Sequence, residues 1–130
     1  MSLKSLRHRC EYGALVLAMS AMRLAGVDAS ASVLAWLARL IGPRTRRHGQ
    51  SLRNLAIAFP ERSPAEHARI AHAMWDNMGR IAAELMLIDR VIADPARIDI
   101  RGTQGLEAAV RERVPQVGAT PHLGNWELTI

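Results

Sequence analysis

The sequence predicts an α/β chain in which apolar, membrane-associated N-terminal helices and a long capped helix lead into a mixed α/β passage. Three observations predict it. Apolar residues recur at helical spacing through most of the first ninety positions, and Ser63-Pro64-Ala65-Glu66 is a strong helix start. Past residue 95, short alternating and apolar stretches replace the helical period.

The N-terminus opens with Lys4, Arg7 and Arg9 and continues apolar from Tyr12 to Met22, interrupted by Arg23 and resuming through Val27. A spanning helix needs about 20 apolar residues, so this one is short unless Arg23 snorkels. A basic start followed by small residues near Ala18–Ala21 also fits a signal peptide, although the apolar character continues beyond that point. Asp28 or Ser30 is placed to cap a second helix with Val33, Leu34, Leu37, Leu40 and Ile41 as its apolar stripe, ended by Gly42-Pro43. Arg44, Arg46, Arg47 and His48 follow, so positive charge flanks the apolar pair on both sides. That suits a shallow hairpin or interfacial helices, with a buried helical hairpin as the plainer alternative.

From Gln50 a helix is expected with Leu52, Leu55, Ala56 and Phe59 on one side, stopped by Pro60. Ser63 as N-cap, Pro64 in the first turn and Glu66 closing a capping box start the next helix. Its expected stripe is Ile70, Met74, Met78, Ile81, Leu85 and Ile88, ending near Asp89 or Arg90, with the methionines as core filler. Ile98–Arg101 is a strand candidate, Gly105 to Arg113 a short helix and Val117 to Thr120 a second, weaker strand.

The charge balance is 17 Lys plus Arg against 12 Asp plus Glu, and it is uneven. The segment up to Arg53 is strongly basic while the remainder is slightly acidic. A basic front end beside apolar helices points to an anionic membrane surface or an acidic partner. Lys4 is the only lysine, so composition accounts for Arg over Lys but not for the clustering. Cys10 is the single cysteine, which excludes an intrachain disulfide and a cysteine-based metal site.

The segment that carries chemistry is His122-Leu123-Gly124-Asn125-Trp126-Glu127. On a continuous helix two positions five apart diverge by about 140°, so His122 and Glu127 meet only across a bend. Gly124 and Asn125 permit one, and Trp126 can anchor it against a core. An imidazole whose other nitrogen is held by a carboxylate is a base able to deprotonate an alcohol as it attacks. No cysteine lies near, and Thr120 and Thr129 have no special claim as nucleophiles, which favours direct attack by an acceptor hydroxyl. The spacing alone is weak, since roughly one histidine in ten has an acid five places on by chance. Five places after His8, His48, His67 and His72 stand Gly13, Arg53, His72 and Asn77, so only His122 has the carboxylate. His67 and His72 miss a shared helical face, and no metal site is expected.

As a six-residue string, HLGNWE closely resembles the signature of the bacterial lipid A biosynthesis acyltransferases, the late lauroyl and myristoyl transferases. Arg53-Asn54-Leu55 followed by Phe59-Pro60-Glu61 is similar to that family's upstream pattern, and Glu84 falls where the family often has a Glu. The resemblance covers essentially the whole chain. It implies residues 1–42 as an apolar helical anchor and 43–130 as the N-terminal portion of an α/β acyltransferase domain. It also implies acyl transfer from an acyl carrier protein thioester to a hydroxyl of a lipid A precursor, a step of lipopolysaccharide assembly, at the cytoplasmic face of the bacterial inner membrane. His122 would be the general base and Glu127 its partner, with Gly124, Asn125 and Trp126 supporting the turn and no cofactor beyond the carrier-linked donor. Arg44, Arg46 and Arg47 would contact lipid or carrier protein.

Pro121 before the His, and a Val114–Ala119 stretch less apolar than the family's usual strand, depart from the pattern. The resemblance further implies that the rest of the sheet, the acyl-chain channel and the oxyanion donors lie past Ile130, leaving these residues alone inactive or nearly so. Two other readings remain. One is the same chemistry on a lysophospholipid, aminolipid or glycolipid. The other is a non-catalytic basic helical module binding membrane or nucleic acid, which a pI near 10.9 invites but no recognisable nucleic-acid fold supports.

Overall fold

A computed structural model of the chain describes residues 3–99, 101–115, 117 and 124–125. They form helices α1 (Leu3–Ala25), α2 (Val27–Ile41), α3 (Arg46–Ala58), α4 (Pro64–Met86), α5 (Ile88–Ala93) and α6 (Gln104–Arg111), with one 3₁₀ turn at Gly42–Arg44. The chain divides into two compact units, Met1–Leu87 and Ile88–Ile130.

In the first unit α1 hands over to α2 through one residue. Gly26 sits at φ 86, a left-handed conformation that a side chain disfavours, and its N–H closes α1 on Met22 while its carbonyl accepts from Ser30. Neither Asp28 nor Ser30 caps α2, because Gly26 occupies the N-cap without a side-chain bond. Ser30 instead turns back and donates its hydroxyl to the Met22 carbonyl at 3.2 Å. Pro43 and the 3₁₀ turn stop α2, and Arg44 donates to the carbonyl of Leu40.

The core of this unit is the crossing of α2 on α4. Its buried residues are Val27, Ser30, Ala31 and Ala35 from α2 with His67, Ala71, Trp75, Gly79 and Ala83 from α4. Small side chains let the backbones touch: a Cβ added to Gly79 would lie 2.4 Å from the Leu34 carbonyl oxygen and 2.5 Å from Ala35 Cα. At the end of α2 the Trp75 ring lies on Gly42, where an added Cβ would stand 2.2 Å from ring atom Cδ2. Trp75 then donates its Nε1–H to His48 Nδ1 at 3.2 Å, which satisfies the indole.

The expected stripes are therefore only partly turned inward, with Leu34 and Leu37 on α2 and Ile70, Met74 and Ile81 on α4 half-buried. Val33, Leu40 and Ile41 on α2 and Met78 and Leu85 on α4 are exposed. The reason is steric: the closest face of a helix crossing selects residues that let axes approach, and large aliphatic chains are pushed to its flanks.

The start of α4 forms as expected. Ser63 Oγ accepts from the Glu66 N–H, and the Glu66 carboxylate accepts from the Ser63 N–H at 2.9 Å. The backbone N–H of Ser63, then its hydroxyl, holds the Glu66 carboxyl below its ordinary 4.5. Ser63→Ala is expected to cost about 1 kcal/mol of stability. A depressed carboxylate stabilises above its unfolded pKa, and that stability is lost as pH falls through the lower folded value. Thermal midpoints followed from neutral pH to below 4.5 should thus fall for the parent protein and fall less for Ser63→Ala.

In the second unit α5 ends at Asp94, whose carboxylate accepts from the Ala96 N–H at 3.0 Å and from Arg97 Nε at 3.1 Å. The Asp94 carboxylate thus caps a turn, after which Gly102 turns at φ 75 ahead of α6. Past α6 the N–H of Val114 returns to the Ala109 carbonyl at 2.9 Å, with Arg113 in the left-handed region at φ 56.

Both parts of the expected fold class are overturned. The α/β class fails, because the described residues contain no strand. Ile98, Asp99 and Arg101 belong to no ladder, and an alternating segment without a partner strand has nothing to pair its backbone with. Of the second candidate only Val117 is described, and residues 118–120 lie outside the described set. The membrane-helix element of the class fails too, since no helix among the described residues is long and apolar enough to cross a membrane. In α1 the basic residues Lys4, Arg7 and Arg9 at one end and Arg23 at the other leave too short an apolar run.

Candidate active site

The region of the chemical motif follows α6. Gly124 and Asn125 form a bend, Gly124 at φ 58 with open space around the position of a Cβ, and Asn125 is half-buried. That φ belongs to no right-handed helix, so Gly124 interrupts any helix that would run from residue 122 to 127. A side chain at position 124 would be strained by the backbone alone, not by crowding. His122, Trp126 and Glu127 lie outside the described residues.

Arg44, Arg46 and Arg47 are all exposed in the first unit, Arg44 closing the 3₁₀ turn and the other two in the first turn of α3. The first turn of α3 contains no acidic residue. Cations at the positive end of a helix dipole are unfavourable, so helix stability does not explain their position.

Of the helix histidines, His67 is buried and donates Nε2–H to the Phe59 carbonyl at 3.0 Å, which ties the start of α4 to the end of α3. No group of acids, histidines or cysteines among the described residues is arranged to hold a metal ion. A shallow cleft of about 360 Å³ is lined by Arg39, Arg69, His72, Ala73 and Asp76. Within it Asp76 accepts from Arg80 Nε at 2.7 Å and from Arg39. The Arg80 hydrogen bond, followed by the charges of Arg80 and Arg39, holds the Asp76 carboxyl below its ordinary 3.8. Both Asp76 oxygens are engaged, so the cleft is an ion-pair network that braces α2 against α4 rather than a pair of groups poised for proton transfer.

Sequence reasoning missed the Trp75–His48 bond and the Ala71–Trp75–Gly79–Ala83 contact face. The signal was available in the strict four-residue spacing of that set and of Ala31 and Ala35.

The family model for bacterial lipid A biosynthesis acyltransferases matches residues 2–130. No curated protein and no solved structure matches the chain.

Proposed function

Since the chain belongs to the bacterial lipid A biosynthesis acyltransferase family, we propose that it transfers a fatty acyl group from an acyl carrier protein thioester to a hydroxyl of a lipid A precursor. The observation that carries this reading is the family match across residues 2–130, with HLGNWE inside it. In the proposed step His122 removes the proton of the acceptor hydroxyl while its oxygen attacks the thioester carbonyl. Glu127 holds the other imidazole nitrogen and stabilises the imidazolium that forms. Collapse of the tetrahedral adduct forms the ester, breaks the carbon–sulfur bond and returns the proton to the departing thiol. The thioester supplies the driving force, so the reaction calls for no cofactor.

The left-handed Gly124 supports the reading, because a pair five residues apart needs a break between its members. The acceptor is a membrane lipid, so the proposed place of work is the cytoplasmic face of the bacterial inner membrane, with acidic carrier protein arriving from the aqueous side. The basic front end suits both partners.

The test is product analysis. The full product of the coding region is given an acyl carrier protein thioester and, in separate reactions, a lipid A precursor, a lysophospholipid, an aminolipid and a glycolipid. The expected result is a lipid heavier by one acyl group in the lipid A reaction. Acylation confined to another acceptor would replace the lipid A assignment, and no acylated product from any would remove the enzymatic one.

A further inference from the structure

We propose that His48 makes the seat of α3 on α4 pH-sensitive. As a neutral imidazole it accepts the Trp75 indole N–H and holds the first turn of α3 in place, and on protonation it lets that turn go. Such a joint stands whether or not the chain transfers acyl groups.

The first turn of α3 has little else to hold it. No residue of α3 is buried, its N-cap Thr45 makes no side-chain cap, and no acid stands in the turn. Thr45 instead donates its hydroxyl to the Gly42 carbonyl at 2.7 Å. Arg46 and Arg47 stand where the helix dipole opposes cations, with Arg44 just before them. Ser51, one turn on, donates to the Arg47 carbonyl of its own helix at 3.0 Å. It reaches α4 only at the Met74 sulfur, 3.7 Å away and a weak acceptor. That leaves the Trp75 Nε1–H on His48 Nδ1, at 3.2 Å, as the strong polar tie between this turn and α4 among the described residues. Trp75 is itself fixed, buried with its ring against Gly42.

The chemistry of that tie makes it sensitive. An indole N–H only donates, so His48 Nδ1 is the bare nitrogen and Nε2 carries the proton. A second proton goes to Nδ1 and turns the acceptor into a donor. The bond is lost, and a cation is added beside Arg44, Arg46 and Arg47. Imidazole is the side chain that ordinarily makes this change between about pH 5 and 8. The charged groups around it offer no relief. Along α3 stand Arg46, Arg47 and Arg53 with no acid, and the 3₁₀ turn brings Arg44. On α4 the contact is Trp75, while Arg69, His72 and Asp76 line the cleft shared with Arg39 of α2, where Asp76 is engaged by Arg39 and Arg80. No acid pairs with His48 among the described residues. The far end of α3 behaves differently, because His67 donates Nε2–H to the Phe59 carbonyl and keeps that donor when protonated. Docking therefore needs neutral His48 and is lost as pH falls, as a local opening at the start of α3 with the α2–α4 crossing intact.

The experiment follows the Trp75 indole N–H of the full chain by nuclear magnetic resonance from about pH 8 to about pH 5. Its signal is identified by proximity to the Gly42 α protons, on which the ring lies, and the exposed Trp36 indole serves as the solvent reference. The Trp75 signal is expected to stand apart from that reference at the alkaline end and to move to it at the acid end. The backbone amides of Ala35 and Ala83 should stay protected throughout. His48→Asn, whose side-chain oxygen stands close to the place of Nδ1 and does not titrate, should hold the bonded position at both ends. His48→Ala should show the released position at both. His72→Asn, which alters an exposed imidazole of α4, should titrate like the parent. A parent Trp75 signal that stays in place overturns the proposal, as does a His48→Asn signal that moves as the parent's does. Release of Trp75 only together with the Ala35 and Ala83 amides overturns it too, since that is unfolding of the whole unit.

Discussion

Gly79→Leu is expected to destabilise the N-terminal unit by about 3 kcal/mol or more, enough to leave a marginal domain largely unfolded. The position is a helix interior, where replacing glycine by a better helix former ordinarily gains about 1 kcal/mol. Here the sign reverses. The first atom of any side chain would stand 2.4 Å from the Leu34 carbonyl oxygen, 2.5 Å from Ala35 Cα and 2.6 Å from Ala35 N. Those are backbone atoms, so no rotamer change relieves the contact, and α2 must move away from α4 as a body. Separation then loosens Ala31, Ala35, Ala71 and Ala83, which the close approach alone keeps buried. Gly79→Ala should show the same sign with a smaller loss. Gly13 in α1 is the matched control, since nothing lies within 4 Å of its Cβ position and Ala there should stabilise slightly. Denaturant unfolding of the three variants measures the effect, and a Gly79→Leu midpoint equal to that of the parent would refute the crossing.

Helix boundaries were largely legible where punctuation is local. Ser63, Pro64 and Glu66 announced α4, and Gly42-Pro43 announced the end of α2, because capping bonds and ring constraints involve neighbours in sequence. The packing faces were legible only in part, since Leu34, Leu37, Ile70, Met74 and Ile81 are half-buried and the closest contact is made by smaller residues. Val33, Leu40, Met78 and Leu85 draw attention as large apolar residues, yet Ala31, Ala35, Gly79 and Ala83 make the contact. Hydropathy ranks residues by transfer energy, whereas a close crossing ranks them by how near two backbones can come. Strands were misjudged for a related reason. The alternation of Ile98 with charged neighbours is a local pattern, but a ladder is a property of two segments, and the described residues supply no second one. Arg44, Arg46 and Arg47 were visible as a cluster, while their place at the 3₁₀ turn and the uncapped start of α3 needed the fold. At the motif the requirement for a bend was readable from Gly124 and Asn125, and a left-handed Gly124 stands there.

His122→Ala is expected to lower acyl transfer by at least about a hundredfold and up to about ten-thousandfold, the range a positioned general base contributes. The alcohol is too weak an acid to lose its proton to water in step with attack, so taking away the imidazole takes away the proposed base. Glu127→Gln should cost less. The amide still occupies the site but presents an N–H where an imidazole N–H seeks an acceptor, which favours the wrong tautomer and no longer stabilises an imidazolium. The loss in both variants should fall on kcat, since neither group is assigned to holding acyl chain or lipid in the ground state.

The most direct test of the central claim is to follow by mass spectrometry the conversion of a hydroxylated lipid acceptor with acyl carrier protein thioester, using the full coding-region product and its His122→Ala form. A product one acyl group heavier is expected to accumulate with the parent enzyme, and at no more than about one hundredth of that rate with the variant. Equal rates of product formation in the two would contradict it.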